Sequence, residues 1–309
     1  MRENLSSAEY KIGERKPLQT GASCVVIVLY IKKEERMGFP VAVRRITVIS
    51  MVAVMLLLVS CARTADSSVD GSSRPVITVG SEDYPPFTDL DNNGDPTGLD
   101  MDILREAFDR IGYDIEFVEI SWEDKDRLLE SGEVDCVAGG FTIESRENDY
   151  LWVGPYMTSN QVVAVNSEGG IHTLPDLEGR KIAVQAASIG EEILLRHTNP
   201  DIPEDVQVLS YEDNSLPLAS LGCNYVDAIV ADEPAVNQYM KDYDTLFTIL
   251  DEPVMRASVG AAFAKDGDKE LSGKLNAAIE EMRSDGTLEK IIGRYLDDAE
   301  RYLGVGHEE

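Results

Sequence analysis

From residue 75 onward, short runs rich in β-branched residues alternate with stretches whose apolar residues recur at helical spacing. Val76–Gly80 has the pattern of a buried strand, and Met101, Leu104, Ala107 and Phe108 mark one face of a helix over 99–111. Strands that alternate with helices predict an α/β fold with mainly parallel sheets flanked by helices. The feature excludes an all-helical bundle and an all-β sandwich.

The alternation forms two units and then two closing helices. Further strands are predicted at 114–120, 135–138, 161–165, 181–185, 206–209, 228–231, 247–250 and 258–264. Further helices are predicted at 122–131 (with Ser121 as a cap), 189–197, 215–222, 233–239, 268–285 and 286–297.

The N-terminal region differs from the rest. Arg44 and Arg45 precede a long apolar run that ends in small residues and Cys61, which is the layout of a secretory signal. The tetrad Leu58–Cys61 resembles a bacterial lipobox, and this resemblance implies that Cys61 is lipidated and becomes the mature N-terminus. An uncleaved anchor in which Cys61 has no role would also account for the apolar run.

Met37 would begin a signal peptide of normal length, 37–60. We therefore interpret residues 1–36 as a mis-called or untranslated extension. Residues 61–74 begin with Cys61 and continue with small and polar residues, a composition typical of a flexible tether. The predicted location is outside the cytoplasm, anchored to the cell membrane of a bacterial envelope.

Acidic residues dominate the part of the chain that follows. Residues 61–309 carry 52 acidic and 19 basic residues, a net charge of −33. Such a surface repels phosphate backbones, so nucleic-acid binding is excluded. No Cys or His spacing typical of a metal site occurs, and neither a metal nor a cofactor is expected.

A set of motifs in fixed order identifies the chain as similar to family 3 extracellular solute-binding proteins, the amino-acid-binding class of bacterial ABC importers. The motifs are VGSEDYPPF (79–87), GLDMDI (98–103), SGEVDC (131–136), GGFTIESR (139–146), DLEGRKIAVQ (176–185), VDAIVAD (226–232) and MRSDGTLEKI (282–291). The resemblance implies a two-lobed, periplasmic-binding-protein-like (type II) fold joined by two crossing strands. Lobe 1 would hold 75–165 and 257–309, and lobe 2 would hold 166–256.

The same resemblance assigns two charged residues to an amino-acid ligand. Arg146 would bind the α-carboxylate, which a planar guanidinium matches with two parallel donors. Asp232 would bind the α-ammonium group from the carboxyl end of a strand. A surface arginine and a plain helix N-cap are the alternative interpretations. The chain between Thr142 and Arg146 is one residue shorter than the family pattern, which leaves the shape of that loop open.

Eight more residues complete the predicted site. Gly139, Gly140, Phe141 and Thr142 form a loop in which glycine lets the backbone approach a ligand. Ser188 and Ile189 begin a helix whose free amides suit a carboxylate. Tyr84 and Trp122 would form an aromatic wall, with core packing as the alternative. Glu82 and Asp83, beside Tyr84, favour a polar or basic amino acid, although both would also suit an acidic surface.

The predicted function is capture of an amino acid and its delivery to an ABC permease by a monomeric binding protein. No catalytic residue is assigned. An enzyme on the same fold, such as a dehydratase that uses Glu82 and Asp232, is one alternative. A subunit that binds an amino acid and signals to a membrane receptor is another.

Overall fold

The computed structural model describes residues 74–91 and 93–304. The predicted extension (1–36), signal peptide (37–60) and lipidated Cys61 lie outside the described residues, as does the tether up to residue 73. Arg74, the last residue of the predicted tether, donates hydrogen bonds to Asp109 Oδ1 at 2.7 Å and to the Tyr113 carbonyl at 2.7 Å.

Eleven strands occur within those ranges. They are β1 (Val76–Ser81), β2 (Asp89–Leu90), β3 (Pro96–Thr97), β4 (Asp114–Glu119), β5 (Cys136–Val137), β6 (Tyr150–Asn166), β7 (Lys181–Gln185), β8 (Gln207–Tyr211), β9 (Ala228–Asp232), β10 (Phe247–Ile249) and β11 (Met255–Ala264). β2 and β3 form a small separate sheet, and the other nine belong to one sheet.

Eight α-helices flank these strands in the described part of the chain. They are α1 (Leu99–Arg110), α2 (Lys125–Ser131), α3 (Ile189–Arg196), α4 (Ser215–Gly222), α5 (Glu233–Asp242), α6 (Lys269–Ser284), α7 (Thr287–Tyr295) and α8 (Ala299–Leu303). Short 3₁₀ helices lie at Trp122–Asp124 and Leu174–Leu177. Within residues 74–91 and 93–304, no helix has both the length and the hydropathy of a membrane span.

The strand order divides the sheet into two halves. β1 pairs in parallel with β4 and β5, and β7 pairs in parallel with β8 and β9. We call the half with β1, β4 and β5 lobe 1, and the half with β7, β8 and β9 lobe 2. The two-lobed α/β fold, with a mainly parallel sheet in each lobe, is thereby confirmed.

Two long antiparallel strands connect the lobes. β6 pairs with β11 from Tyr150 to Gln161, and then with β9 from Gln161 to Val165. β6 changes its pairing strand at Gln161, four residues before residue 165, where lobe 1 was predicted to end. The lobe boundaries at 165/166 and 256/257 stay a prediction.

Each lobe has its own apolar core. In lobe 1, α1 buries Leu104 and Phe108 against Tyr156 of β6 and against Met282 of α6, and all four are at most 1% exposed. In lobe 2, Ile182 and Val230 pack with Ile193 of α3. Each fully buried large apolar side chain contributes about 1.5–3 kcal/mol to folding. Two separate cores allow the lobes to move as units.

The predicted elements agree closely with the observed ones, with one large exception. β6 is 17 residues long, whereas the sequence predicted a strand only over 161–165. Gly154 and Pro155 interrupt the β-forming run upstream of 161, and proline disfavours a central strand. The short helix α8 and the strands β2 and β3 were also missed.

Candidate functional site

The carboxyl ends of all six parallel strands face one cavity between the lobes. β1, β4 and β5 of lobe 1 lead to Tyr84, Trp122 and Gly139, while β7 and β9 of lobe 2 lead to Ser188 and Asp232. Asn214 follows β8 and completes the set. The space between these residues, counted out to the open mouth of the cleft, is about 550 Å³. Parallel α/β sheets place their ligand sites at such strand ends.

All ten residues predicted for the ligand site line this cavity. They are Tyr84, Trp122, Gly139, Gly140, Phe141, Thr142, Arg146, Ser188, Ile189 and Asp232. Their roles toward a ligand stay predictions, because proximity alone does not assign a contact to a particular ligand group.

A buried carboxylate holds the glycine loop. The amides of Gly139 and Gly140 donate to Asp100 Oδ2 at 2.9 and 2.8 Å, and Asp100 is fully buried. Gly139 has a φ of 123° and Gly140 a φ of 67°, a backbone region that glycine enters without strain. Because both amides are already bound to Asp100, neither is free to bind a ligand group. Thr142 Oγ1 is buried without a hydrogen-bond partner in the described part of the chain.

Arg146 is an inward-facing cation and not a surface arginine. Its side chain is only 11% exposed, and its guanidinium carbon lies 5.5 Å from the centroid of the Phe141 ring. Nη2 donates to the Ala187 carbonyl at 3.4 Å and lies 3.6 Å from Glu192 Oε2. The short loop before Arg146 closes through Ser145, whose φ is 68°.

The N-terminus of α3 reaches the cavity through its backbone. The Ser188 hydroxyl accepts from the Glu191 amide at 3.1 Å and donates to the Gln185 carbonyl at 2.7 Å, so it caps the helix. The first amides of a helix have no acceptor inside the helix. The Ser188 hydroxyl thus has two partners within the protein, and the predicted contacts of Ser188 and of the Ile189 amide with a carboxylate stay predictions.

Asp232 and Tyr84 join the two lobes across the cavity. The Tyr84 hydroxyl donates to Asp232 Oδ2 at 3.2 Å, and Ser159 Oγ donates to Oδ1 at 2.8 Å. Burial raises the pKa of Asp232 to about 6, against the opposing effect of these donors. Asp232 occupies the N-cap position of α5, but its side chain makes no capping hydrogen bond. Its carboxylate is thus directed at the cavity.

Glu82 lines the same cavity, whereas Asp83 is exposed. The Glu82 carboxylate accepts hydrogen bonds from Gln185 Nε2 at 2.5 Å and from the Asn214 side chain. Burial is the main reason that the pKa of Glu82 is raised to about 7. A further bond links the lobes here, because Asn214 Nδ2 donates to the Asp83 carbonyl at 2.8 Å.

Trp122 serves both the core and the cavity wall. It is 5% exposed, it packs edge-on against Phe141 with 4.9 Å between ring centroids, and it also lines the cavity. Among the described residues, no three His, Cys, Asp or Glu side chains are grouped to hold a metal ion.

Several lining residues escaped the sequence prediction. They are Gln161, Gln185, Pro217, Leu218, Val230, Ala231 and Asn214. Gln185 ends β7, so the rule that pointed to Asp232 at the end of β9 also applied to it. Gln161 lies within the part of β6 where the lobes meet, and no local signal marked it.

Two α/β lobes that enclose a buried, charged cavity at their strand ends define a two-lobed solute-binding protein. The chain belongs to the bacterial extracellular solute-binding proteins, family 3, whose model matches residues 77–298.

Known proteins of similar sequence and structure support this membership. A probable histidine-binding protein of Campylobacter jejuni is 27% identical over 246 residues, covering 78% of this chain and 93% of that protein. An ancestral arginine-binding protein bound to arginine is 30% identical with a TM-score of 0.66, covering 72% of this chain and 99% of that one. An ancestral amino-acid-binding protein, AncCDT-1, described as a precursor of cyclohexadienyl dehydratase, is 27% identical with a TM-score of 0.63. It covers 72% of this chain and 95% of that one.

Burial of Asp100 makes folding stability depend on pH. Burial raises the pKa of Asp100 to about 6, above about 3.9 for an unfolded chain. Its contribution to the free energy of unfolding is therefore complete below pH 4 and is lost as pH rises through 6. We expect Asp100→Asn to reduce the loss of unfolding free energy between pH 5 and pH 7.5 by about 1.4 kcal/mol.

Urea unfolding of the unliganded protein at several pH values measures this loss. Asp91→Asn is the control, because backbone amides lower the pKa of exposed Asp91 and place its titration below the tested range. An Asp100→Asn variant with the wild-type pH dependence would show that Asp100 does not titrate there.

Proposed function

We propose that this protein captures an amino acid between its lobes outside the cytoplasm and delivers it to an ABC permease. One observation carries the proposal: a buried arginine and a buried aspartate from different lobes, Arg146 and Asp232, line the same cavity. An amino acid carries a carboxylate and an ammonium group on one carbon atom. Groups of opposite charge on the cavity wall match that pair.

Arg146 and the first amides of α3 bind the α-carboxylate of the ligand. The guanidinium is held over Phe141, which fixes its direction before a ligand arrives. Pre-organised donors lose little entropy on binding. The ligand carboxylate is then a closer partner of the guanidinium than Glu192, whose Oε2 lies 3.6 Å from Arg146 Nη2.

At the cationic end, Asp232 binds the α-ammonium group together with the carbonyl oxygens of the glycine loop and Thr142 Oγ1. Asp232 has a raised pKa in the absence of ligand, and a bound cation would lower it. The unpartnered Thr142 hydroxyl then gains an acceptor or donor that the protein does not supply.

The side chain of the ligand lies between Tyr84 and Trp122 and extends toward Glu82. A half-buried carboxylate at the wall favours a basic or polar side chain, in agreement with the arginine and histidine named for similar proteins. We therefore propose a cationic amino acid as the preferred ligand.

Hydrogen bonds between the lobes hold the cleft closed. Hydrogen bonds from Tyr84 to Asp232 and from Asn214 to Asp83 join the lobes over the cavity. A hinge in β6 and β11 would open the cavity.

A lipid on Cys61 would keep the protein near its permease and raise the local concentration of captured ligand. Mass spectrometry that finds mature protein with unmodified Cys61 would contradict this anchor.

An enzyme is the second candidate, because two carboxyl groups of the cavity have raised pKa values: about 7 for Glu82 and about 6 for Asp232. One similar structure is also described as the precursor of a dehydratase. We favour binding without turnover, because both carboxyl groups are occupied by hydrogen bonds that join the lobes. Dehydration of a cyclic carboxylic acid by the purified protein would overturn that choice.

Loss of the arginine should weaken binding strongly. Removing one member of a desolvated charge pair costs about 2–5 kcal/mol, so Arg146→Ala should lower amino-acid affinity by about thirtyfold or more. Calorimetry with the twenty amino acids identifies the ligand and measures the loss. Arg127→Ala, which removes an arginine 56% exposed on α2, is the control and should bind as wild type. Equal affinity in the Arg146 variant would remove its carboxylate role.

Glu82 should set the preference for charge on the ligand side chain. Glu82→Gln should lower affinity for L-arginine by about tenfold and leave L-glutamine within about twofold, because only the cation loses an ion pair. Wild-type affinity for L-arginine should also rise with pH through about 7, as Glu82 ionises. Asp83→Asn changes the exposed neighbour of Glu82 and should alter neither the affinity for L-arginine nor the affinity for L-glutamine. If Glu82→Gln weakens both ligands equally, Glu82 does not read side-chain charge.

A further inference from the structure

Lys125 is a buried cation that the site described above does not use. It is 3% exposed, and its Nζ donates at 3.3 Å to the Ala187 carbonyl of lobe 2 and at 3.5 Å to the Trp122 carbonyl of its own lobe. Among the described residues, no carboxylate lies within 4 Å of Nζ. Lys125 is not one of the residues that line the cavity.

Lys125 is poorly suited to stabilise the fold by itself. Its ammonium has two long contacts to carbonyl oxygens and lies 5.2 Å from the centroid of the Trp122 ring, and these contacts replace only part of its hydration. It is also the first residue of α2, where the helix dipole disfavours a positive charge. Burial accordingly lowers the pKa of Lys125. The carboxylates of Asp126, Glu82 and Glu123 favour the charged form only from beyond 4 Å, so a closer negative partner would stabilise this charge further.

A negative partner for Lys125 would bind beside Arg146. Arg146 Nη2 and Lys125 Nζ both donate to the Ala187 carbonyl, so two cations of lobe 1 converge on one oxygen of lobe 2. The acidic groups nearby already have partners. Glu191 accepts from the Ala187 amide at 2.7 Å, and Glu192 pairs with Arg196 at 2.5 Å. An anion that reaches Arg146 therefore meets two cations, neither of which has a carboxylate within 3.5 Å among the described residues.

We propose that Lys125 is a second positive charge for the ligand carboxylate, which acts across the Arg146–Ala187 contact without touching the ligand. When the lobes close, Lys125 moves out of water and contacts Ala187. The ligand carboxylate compensates its charge, and without a carboxylate the buried charge opposes closure. Lys125 thus makes closure depend on an anionic group in the cleft. This positioning role rests on the proposed function.

The test compares two probes that differ only in the carboxylate: L-arginine and agmatine, its decarboxylated amine. Lys125→Met keeps the length and the packing against Trp122 but removes the charge. We expect the affinity for L-arginine to fall about tenfold, because one attractive unit charge is lost, while the affinity for agmatine stays equal or rises. Lys274→Met, at a lysine 51% exposed on α6, is the control and should change neither.

A merely structural role for Lys125 would weaken both probes alike. Equal losses, or no loss for L-arginine, would overturn the inference and leave the proposed function intact. If the wild-type protein binds neither probe, the proposed cationic ligand is wrong. The melting temperature of the unliganded protein then decides about Lys125: a higher value for Lys125→Met supports an uncompensated charge, and an equal or lower value contradicts it.

Discussion

The structure depends on one strand that belongs to both lobes. β6 pairs with β11 over its first part and with β9 over its last part, and Gln161 takes part in both ladders. Ladder hydrogen bonds fix the register of each lobe against the same strand. The carboxyl ends of the parallel strands in both lobes consequently point into one cavity. Two α/β halves without this shared strand would have two separate crevices.

Three buried charged residues lie in the cavity wall or directly behind it. Asp100, Asp232 and Lys125 are each at most 5% exposed, and burial shifts the pKa of all three toward the neutral form. Each costs stability unless a partner compensates it. Asp100 is compensated from within by two backbone amides. Asp232 accepts hydrogen bonds from side-chain hydroxyls at both oxygens, whereas Lys125 has only two long contacts to carbonyl oxygens and one to a ring, which is the condition expected of a group whose partner is a ligand.

Much of the architecture could be predicted from local pattern, because strand and helix signals alternate without ambiguity over most of the chain. The residues at the ends of β1, β5 and β9 could be predicted because strand ends in parallel sheets meet, and the family resemblance gave them roles. Gln161 could not, since it lies at the start of the predicted strand 161–165 and not at the carboxyl end of a parallel strand, where ligand sites are expected. Lys125 could not either, because a lysine among charged neighbours has the local pattern of a solvated helix face.

Hydrogen bonds to the main chain hold the two parts of the cavity wall that, in the proposed function, meet the common part of an amino acid. The Ser188 hydroxyl is committed to capping α3, and the amides of Gly139 and Gly140 are committed to Asp100. Backbone groups do not change when side chains are exchanged. Point mutations at Glu82, Trp122 or Leu218 can therefore alter which side chain is accepted, while affinity for the shared carboxylate and ammonium persists. New specificities within one chemical class lie few mutations apart on such a scaffold, whereas a change of class requires rebuilding its loops.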